Sequence, residues 1–311
     1  MNSLAKNCDL HRVLVLGHTG FIGEHLVRYF RGHSPELELV GRSLPSLDLT
    51  KEEEATTLAD LMDLKTVVVM CAAIKKQWGD SLDVFSQNVK MVTNVCRVLQ
   101  SHPVRRFVYF SSAAVYGEDI HNTKINEETP INPTSFYGTA KYVSERLLQQ
   151  VIGSHKNCSL LILRPPLVYG PGDRSRGYGP SGFVCSALNG KKIVLWGDGS
   201  EQREFVFVED IAKIVHDLSF HHYTGAVNVA SGESYTYENV LEILADLVPV
   251  GLQIASRPRT KEKVDHGFCN QLLVELLPDV SFSSFGDGIG RTLNAESRTG
   301  AASEGTAEGQ S

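Results

Sequence analysis

Apolar and polar positions along this chain follow two alternating periods. Apolar runs at Val13-Leu14-Val15-Leu16 and Leu160-Leu161-Ile162-Leu163, and those that follow the polar residue opening Thr66-Val67-Val68-Val69-Met70 and Arg106-Phe107-Val108-Tyr109-Phe110, suit strands covered on both faces. Between them apolar residues recur at helical spacing. Ile22, Leu26, Val27 and Phe30 mark a first helix. Val89, Val92, Cys96 and Leu99 mark one over Ser86 to Leu99 that His102-Pro103 ends, and Ala140, Val143, Leu147, Leu148 and Val151 mark another. Glu36 to Ser43 reads as the second strand, Lys51 to Leu61 as an acidic helix, Ala226 to Val229 as a late strand and Glu238 to Val248 as a late helix. This βα alternation predicts an α/β fold built on a doubly wound parallel sheet.

The first strand meets the first helix at Gly17-His18-Thr19-Gly20-Phe21-Ile22-Gly23. Glycines let a phosphate approach the backbone, so the free N–H groups and positive end of the helix face an anion, which predicts a dinucleotide pyrophosphate site. The second strand ends about 20 residues beyond the glycines, where the cofactor ribose arrives. An acidic residue there would hold the ribose hydroxyls of NAD. This chain has Gly41 and then Arg42, which can hold a 2′-phosphate, so NADP(H) is favoured and NAD(H) is the alternative. Glu38 lies inside the strand and is a poor substitute for the missing acid.

Cys71-Ala72-Ala73 closes the third strand with side chains small enough for a cofactor to approach, and Lys75, Lys76 and Trp78 follow in a loop on the same edge. The fourth strand delivers Ser111 and Ser112 to its carboxyl end, where open parallel sheets bind ligands. A polar loop from Glu118 to Ser135 then leads to Tyr137 and Lys141, which lie four apart on one helical face. A nearby ammonium favours phenolate and is expected to lower the tyrosine pKa toward the working pH of a general acid/base.

Composition narrows the partners. A chain of 311 residues with 42% hydrophobic content can bury a large core, and a net charge of −6 without a basic run argues against nucleic acid or acidic lipid as partner. Six cysteines at 8, 71, 96, 158, 185 and 269 have no metal or redox spacing and read as reduced thiols. Met1 to Arg12 lacks an apolar signal core, and the run Val67 to Ile74 is too short to span a bilayer, so a soluble cytoplasmic protein without a membrane partner is expected.

Taken in order, these motifs resemble the extended short-chain dehydrogenases of the nucleotide-sugar epimerase, dehydratase and reductase group. The resemblance spans Val13 to about Asn294 and rests on the glycine turn, Asp48-Leu49, Ala72-Ala73, Asn88 and Phe110-Ser111-Ser112-Ala113-Ala114-Val115-Tyr116-Gly117. It continues through Tyr137-x-x-x-Lys141, Leu163-Arg164-Pro165, Tyr169-Gly170-Pro171-Gly172 and the run from Gly197 to Asp210 that contains Gln202-Arg203-Glu204-Phe205-Val206. It implies a Rossmann-type domain over 1–170 to which 205–232 returns, and a smaller interleaved substrate-binding lobe from 171–204 and 233–294. The residues 295–311 are expected to form a mobile tail.

By the same resemblance Tyr137 is the acid/base, Lys141 holds the nicotinamide ribose and tunes the tyrosine, and Ser112 bonds the reacting sugar oxygen. The implied cofactor site is Gly17, Thr19, Gly20, Phe21, Ile22, Gly23, Arg42, Ser43, Asp48, Leu49, Cys71, Ala72, Ala73, Asn88, Lys141 and Pro165. The implied substrate site is Ser112, Ala113, Tyr137, Arg174 and Arg203, and no metal is implied; Arg174 and Arg176 either clasp phosphate or are simply solvated. Arg203 suits a diphosphate through bidentate contacts or else is a surface ion-pair partner, and Asp210 reads as a helix N-cap.

The implied chemistry is hydride transfer at C4 of a nucleotide-diphosphate sugar. Dehydratases of the group carry Asp and Glu directly after the serine/threonine position, and this chain has Ala113 and Ala114, which disfavours dehydration. Gly41-Arg42 resembles the NADP-using epimerase-reductases and favours a 4-keto-sugar reductase or epimerase-reductase. A 4-epimerase with retained NAD(P) is the alternative, and a non-catalytic NADP-binding sensor or scaffold is a third reading. Leu167 stands where many relatives have an asparagine, so no single relative supplies the sugar or nucleotide. The helices Ser86 to Leu99 and Tyr137 to Val151 pair across a two-fold axis in relatives, which implies a homodimer.

Overall fold

Each apolar run becomes a strand buried on both faces, because helices cover the sheet above and below. The computed structural model describes residues 10–175, 177–249 and 251–305, the last seven by their helical backbone alone. In chain order the first elements are β1 (Arg12–Leu16), α1 (Phe21–His33), β2 (Glu38–Arg42), α2 (Glu52–Thr56), β3 (Thr66–Met70), α3 (Leu82–Ser101) and β4 (Arg106–Phe110). Next come β5 (Asn122–Ile125), α4 (Phe136–Gly153), β6 (Ser159–Leu163), β7 (Leu167–Tyr169), α5 (Pro180–Leu188), β8 (Ile193–Trp196) and β9 (Gln202–Phe207). The last third holds α6 (Val208–Ser219), β10 (Gly225–Val227), β11 (Ser234–Thr236), α7 (Tyr237–Leu247), β12 (Ile254–Arg257), β13 (His266–Phe268), α8 (Gln271–Leu276) and α9 (Phe285–Gly305).

The central sheet has six strands in the order β10-β6-β4-β3-β1-β2, all parallel. The chain winds outward from β1 to β2, then crosses to β3 and winds the other way. The carboxyl ends of β1 and β3 therefore flank a crevice where loops leave in opposite directions, the place where open α/β sheets take ligands.

Alternation along β1 divides the core. Leu14 and Leu16 face a cluster with Met91, Val95, Leu99 and Leu148 from α3 and α4, while Val13 and Val15 face Leu26, Phe30, Ile211 and Val215 from α1 and α6. A third cluster joins Phe183, Val184, Val240, Leu244, Phe285 and Ile289 into a smaller lobe. Strand β9 serves both: Val206 points to the central-sheet core and Phe205 and Phe207 to the small-lobe core. That alternation fixes how one lobe sits on the other.

Several boundaries differ from the sequence reading. The polar loop 118–135 contains β5, which pairs in parallel with β13; its residues Asn-Thr-Lys-Ile carry too little apolar signal to reveal a strand. Strand β9 joins β7 and β11 in a separate three-stranded sheet, so the return to the central sheet consists of α6 and β10. Leu273 of α8 packs on the central core although it falls within the stretch assigned to the smaller lobe. Beyond residue 295 the chain stays helical to Gly305, extending a helix anchored by buried Phe285, Ile289 and Thr292; 306–311 lie outside the described residues. Asp210 is not an N-cap: α6 is capped at Phe207, and Asp210 one turn on accepts hydrogen bonds from the backbone N and Oγ of Ser283. No described helix is long and apolar enough to cross a membrane.

Under the crevice a buried ion pair ties α4 to the end of β6. Arg164 donates from Nε and Nη2 to the Glu145 carboxylate at 3.0 and 2.7 Å, and from Nη1 to the Tyr116 hydroxyl at 2.9 Å. Tyr116 in turn donates to Asn228 Oδ1 at 2.8 Å, and Ser111 Oγ donates to Glu145. Removing one partner strands the other as an uncompensated buried charge, which costs about 3–5 kcal/mol. Arg164→Met should lower the urea unfolding free energy by about that amount; a loss below about 1 kcal/mol would contradict a buried, mutually dependent pair.

Candidate active site

The loops at the carboxyl ends of β1, β2, β3, β4 and β6 enclose a cleft of about 640 Å³. At its floor β1 turns into α1. Gly17 has φ +95°, and a side chain there would place its Cβ 2.7 Å from the Ala72 amide nitrogen. A Cβ on Gly23 would overlap the Gly17 carbonyl oxygen, so helix and turn can pack this closely only through glycine. Helix α1 starts from Gly20 with no side-chain cap, leaving its first N–H groups available to an anion. This cradle fits the pyrophosphate of a dinucleotide.

Around it lie Thr19, Gly20, Phe21, Ile22, Ser43, Asp48, Leu49, Cys71, Ala72, Ala73, Lys141 and Pro165, all expected at the cofactor. Asp48 is held by the Thr50 backbone N at 2.9 Å and Oγ1 at 2.7 Å, bonds that keep its carboxyl below the usual range. Cys71 donates its thiol to the Leu16 carbonyl at 3.3 Å, and burial pushes it up to about 12, so it stays an inert thiol.

Two expected cofactor residues stand off the cleft. Asn88 is buried under it and clamps the Ile74 backbone, accepting from N at 2.8 Å and donating to O at 3.0 Å, so it shapes the wall without lining it. Arg42 lies at the end of β2, next to the lining residue Ser43, with Nη1 donating to the Gly41 carbonyl at 3.0 Å. Arg174 is also outside: its side chain is 83% exposed and 3.8 Å from Glu24, as expected for a cation with no buried counter-group. Arg176 lies outside the described residues.

The reactive groups converge opposite the glycine turn. Ser112 caps the short turn after β4, its Oγ accepting from the Ala114 N–H at 3.1 Å. Ser135 caps α4 in the same way through Gly138 N at 3.1 Å, and the helix then presents Tyr137 and Lys141 one turn apart. Ser112, Ala113, Tyr137, Lys141 and Arg203 all line the cleft. Lys141 is buried, donates Nζ to the Phe110 carbonyl at 2.6 Å, and lies 5.7 Å from the centre of the Tyr137 ring.

The electrostatics correct one expectation. Desolvation, reinforced by the Glu118 carboxylate, pushes Tyr137 up to about 12 against the opposing bond with Ser112. The Lys141 ammonium does not bring the phenol down. It is committed to a carbonyl, and burial lowers its own pKa to about 8. At neutral pH Tyr137 therefore holds its proton, the state of a general acid.

Glu118 and Glu204 were not singled out from sequence. Glu118 accepts from Lys76 Nζ at 2.8 Å and from Ser135 Oγ at 2.6 Å, joining the Lys76 loop to the start of α4. Glu204 follows Arg203 on β9, and both line the cleft. Arg203 is fixed by Glu201 and the Gln202 and Val264 carbonyls. Glu204 is 1% exposed; one oxygen takes Ser231 Oγ at 3.1 Å and Gly232 N at 3.0 Å, and Oε2 is buried without a partner among the described residues. The adjacent charges in Gln202-Arg203-Glu204 within an otherwise apolar strand were the available signal.

A glycine-turned helix over a parallel sheet, with a Tyr–Lys pair at the sheet's carboxyl edge, defines a dinucleotide-dependent enzyme of the short-chain dehydrogenase type. Residues 13–230 match the model of the NAD dependent epimerase/dehydratase family, and the chain belongs to that family. It is 28% identical over 262 residues to the uncharacterized UDP-glucose epimerase YtcB of Bacillus subtilis (strain 168), covering 76% of this chain and 82% of that protein. It is likewise 28% identical to the probable GDP-L-fucose synthase 1 of Oryza sativa subsp. japonica, over 76% of this chain and 77% of that one. The crystal structure of the UDP-glucose 4-epimerase of Thermus thermophilus with NAD is similar at TM-score 0.79 and 26% identity, covering 91% and 98% of the two chains.

Burial holds the Glu204 carboxyl protonated up to about pH 7, against the ordinary value of 4.5 that applies when unfolded. Between those values the folded state binds more protons than the unfolded chain, so stability falls as pH rises through this window and is flat above it. Relative to Glu204→Gln, which keeps the acceptor, the wild-type protein should lose up to about 3 kcal/mol of unfolding free energy across the window. A gap between the two proteins that does not change from pH 5 to pH 8 would contradict this.

Proposed function

We propose that this chain is an NADP(H)-dependent oxidoreductase acting on a nucleotide-diphosphate sugar, reducing a 4-keto group as a 4-keto-sugar reductase or epimerase-reductase. The observation that carries the reading is the placement of Tyr137 beside Ser112 and Lys141 in the cleft that also contains the anion cradle. A nicotinamide dinucleotide, when bound there, supplies or accepts the hydride. Ser112 Oγ and the Tyr137 hydroxyl hold the sugar oxygen between them, and Tyr137 gives it a proton as the carbonyl becomes an alcohol. Lys141, buried with its Nζ on the Phe110 carbonyl, holds the ribose side of the cofactor and fixes the turn of α4 that carries Tyr137. Arg203 faces the carrier's diphosphate, where a planar guanidinium suits two oxygens.

Ala113 and Ala114 supply neither acid nor base, which argues against loss of water from the sugar. The similarity to proteins named UDP-glucose epimerases favours a second reading, a 4-epimerase with retained NAD(P). It is distinguished by stereochemical inversion without net consumption of NADPH.

The preference for NADP(H) is supported at the end of β2. A Cβ on Gly41 would overlap the His18 ring, so His18 occupies the space over the position from which an acid would reach ribose hydroxyls. Its Nδ1 lies 3.0 Å from Ser43 Oγ, and Ser43 lies 2.8 Å from Thr19 Oγ1. Arg42 stands beside this polar group, from where its guanidinium would have to leave the Gly41 carbonyl to meet a 2′-phosphate. Exposed Leu82 and Phe136 at the starts of α3 and α4 support a homodimer packed on these helices, and the free described cysteines suit a reducing cytoplasm.

Tyr137→Phe should lower turnover about 10²–10⁴-fold while cofactor binding persists; full activity would refute the role of Tyr137. Arg42→Ala should weaken NADPH binding much more than NADH binding, and equal loss would contradict the 2′-phosphate assignment. Light scattering should return twice the 34.2 kDa chain mass, and a monomer would contradict the dimer.

A further inference from the structure

The first turn of α4, which carries Tyr137, is held by a side chain from a distant part of the chain. The opening N–H groups of a helix have no acceptor within it. Ser135 Oγ satisfies Gly138 N at 3.1 Å, as a local cap does. The N–H of Tyr137 itself goes to Asp80 Oδ1 at 2.9 Å, across 57 positions of sequence. A carboxylate at the positive end of a helix makes a charge-assisted bond, and Asp80 is exposed, so keeping its charge there costs little desolvation.

Asp80 is placed by the loop between β3 and α3, which also walls the cleft. Asn88 clamps the start of that loop at Ile74, and Ser81, directly after Asp80, caps α3 by accepting from Val84 N at 3.3 Å. Between these anchors Lys75 and Lys76 line the cleft, Lys75 paired with Asp173 at 3.2 Å and Lys76 with Glu118 at 2.8 Å. Gly79, at φ +144°, then gives the backbone the turn that brings Asp80 to α4. Glu118 also accepts from Ser135 Oγ, so the loop meets the start of α4 twice, once through Glu118 and Ser135 and once at the Tyr137 amide.

We infer that Asp80 is a positioning residue for Tyr137: by holding the Tyr137 amide it fixes where the phenol stands relative to Ser112 and the anion cradle. The inference rests on the acid role proposed above for Tyr137. Asp80 is not among the residues that line the cleft, so it acts through the helix start and not on a reacting atom. Gly138, next to Tyr137, lies so near the Ala114 carbonyl that a Cβ there would come within 2.5 Å of its oxygen. The first turn of α4 is thus set by close backbone approach to the loop after β4 and by a carboxylate from the loop after β3. Displacing a reacting group by about 1 Å can cost about 100-fold in rate, so one bond at this amide is enough to matter.

The test compares Asp80→Ala, which removes the acceptor, with Asp80→Asn, which keeps one, in the full chain. Amide hydrogen exchange read by ¹⁵N NMR on the cofactor-free protein should be faster by about tenfold at Tyr137 in Asp80→Ala, unchanged at Gly138, and largely restored in Asp80→Asn. NADPH oxidation on UDP- and GDP-linked 4-keto hexoses should show kcat lowered about tenfold with KM within about twofold in Asp80→Ala, and recovery in Asp80→Asn. Equal exchange at Tyr137 in wild type and Asp80→Ala, or equal kcat, would overturn the inference. So would faster exchange at Tyr137 and Gly138 alike, which is fraying of the whole helix start without a specific hold. A wild-type chain that oxidises NADPH with neither sugar counts against the acid role of Tyr137 instead, and the exchange rate at Tyr137 then still decides whether Asp80 holds it.

Discussion

One buried ammonium determines what the cleft can do. Lys141 gives its proton-rich end to the Phe110 carbonyl at 2.6 Å, which fastens α4 to the carboxyl end of β4 and places Tyr137 one turn away, beside Ser112. That attachment is possible because Glu145, one turn further along α4, is itself buried and neutralised by Arg164 from β6. Two adjacent strands and one helix are therefore joined by charged groups in a low-dielectric layer, where the position of each is fixed by the others. The arrangement orients the tyrosine and commits the ammonium's first interaction to the backbone, while desolvation and then the Glu118 carboxylate keep the phenol an acid.

The other half of the cleft depends on close backbone approach. Gly17 and Gly23 let α1 start almost against the loop at Ala72, so the uncapped helix end opens into the same space as Tyr137. The smaller lobe is registered on this frame by β9, whose alternating Phe205, Val206 and Phe207 belong to two cores at once. Arg203 and Glu204 lie on that same strand. The smaller lobe, with these two charged side chains at the cleft, is thus positioned by the packing that closes the sheet.

Much of this was legible in the amino-acid order. The apolar runs became β1, β3, β4 and β6 because burial on both faces leaves a continuous signature, and the glycine turn and the Tyr137–Lys141 spacing carried the site. Strand β5 was not legible, since an edge pairing through Asn122 to Ile125 needs no apolar run. The roles of Glu118, Glu145 and Glu204 depend on which distant groups the fold brings to them, information that local spacing lacks. The same holds for Tyr137: sequence shows that a lysine is near, whereas the direction of the pKa shift depends on desolvation, Glu118 and the carbonyl that engages Lys141. Asn88 shows a related limit, because a residue that shapes the wall and one that touches a ligand occupy similar positions along a helix.

The central claim is that Tyr137 enters the reaction carrying a proton. It is tested most directly by ¹³C NMR of the cofactor-free protein labelled at the tyrosine Cζ, with the Tyr137 signal assigned by its loss on substitution. The account predicts that this signal stays at the phenol position through pH 9. A phenol-to-phenolate midpoint near pH 7 would contradict it.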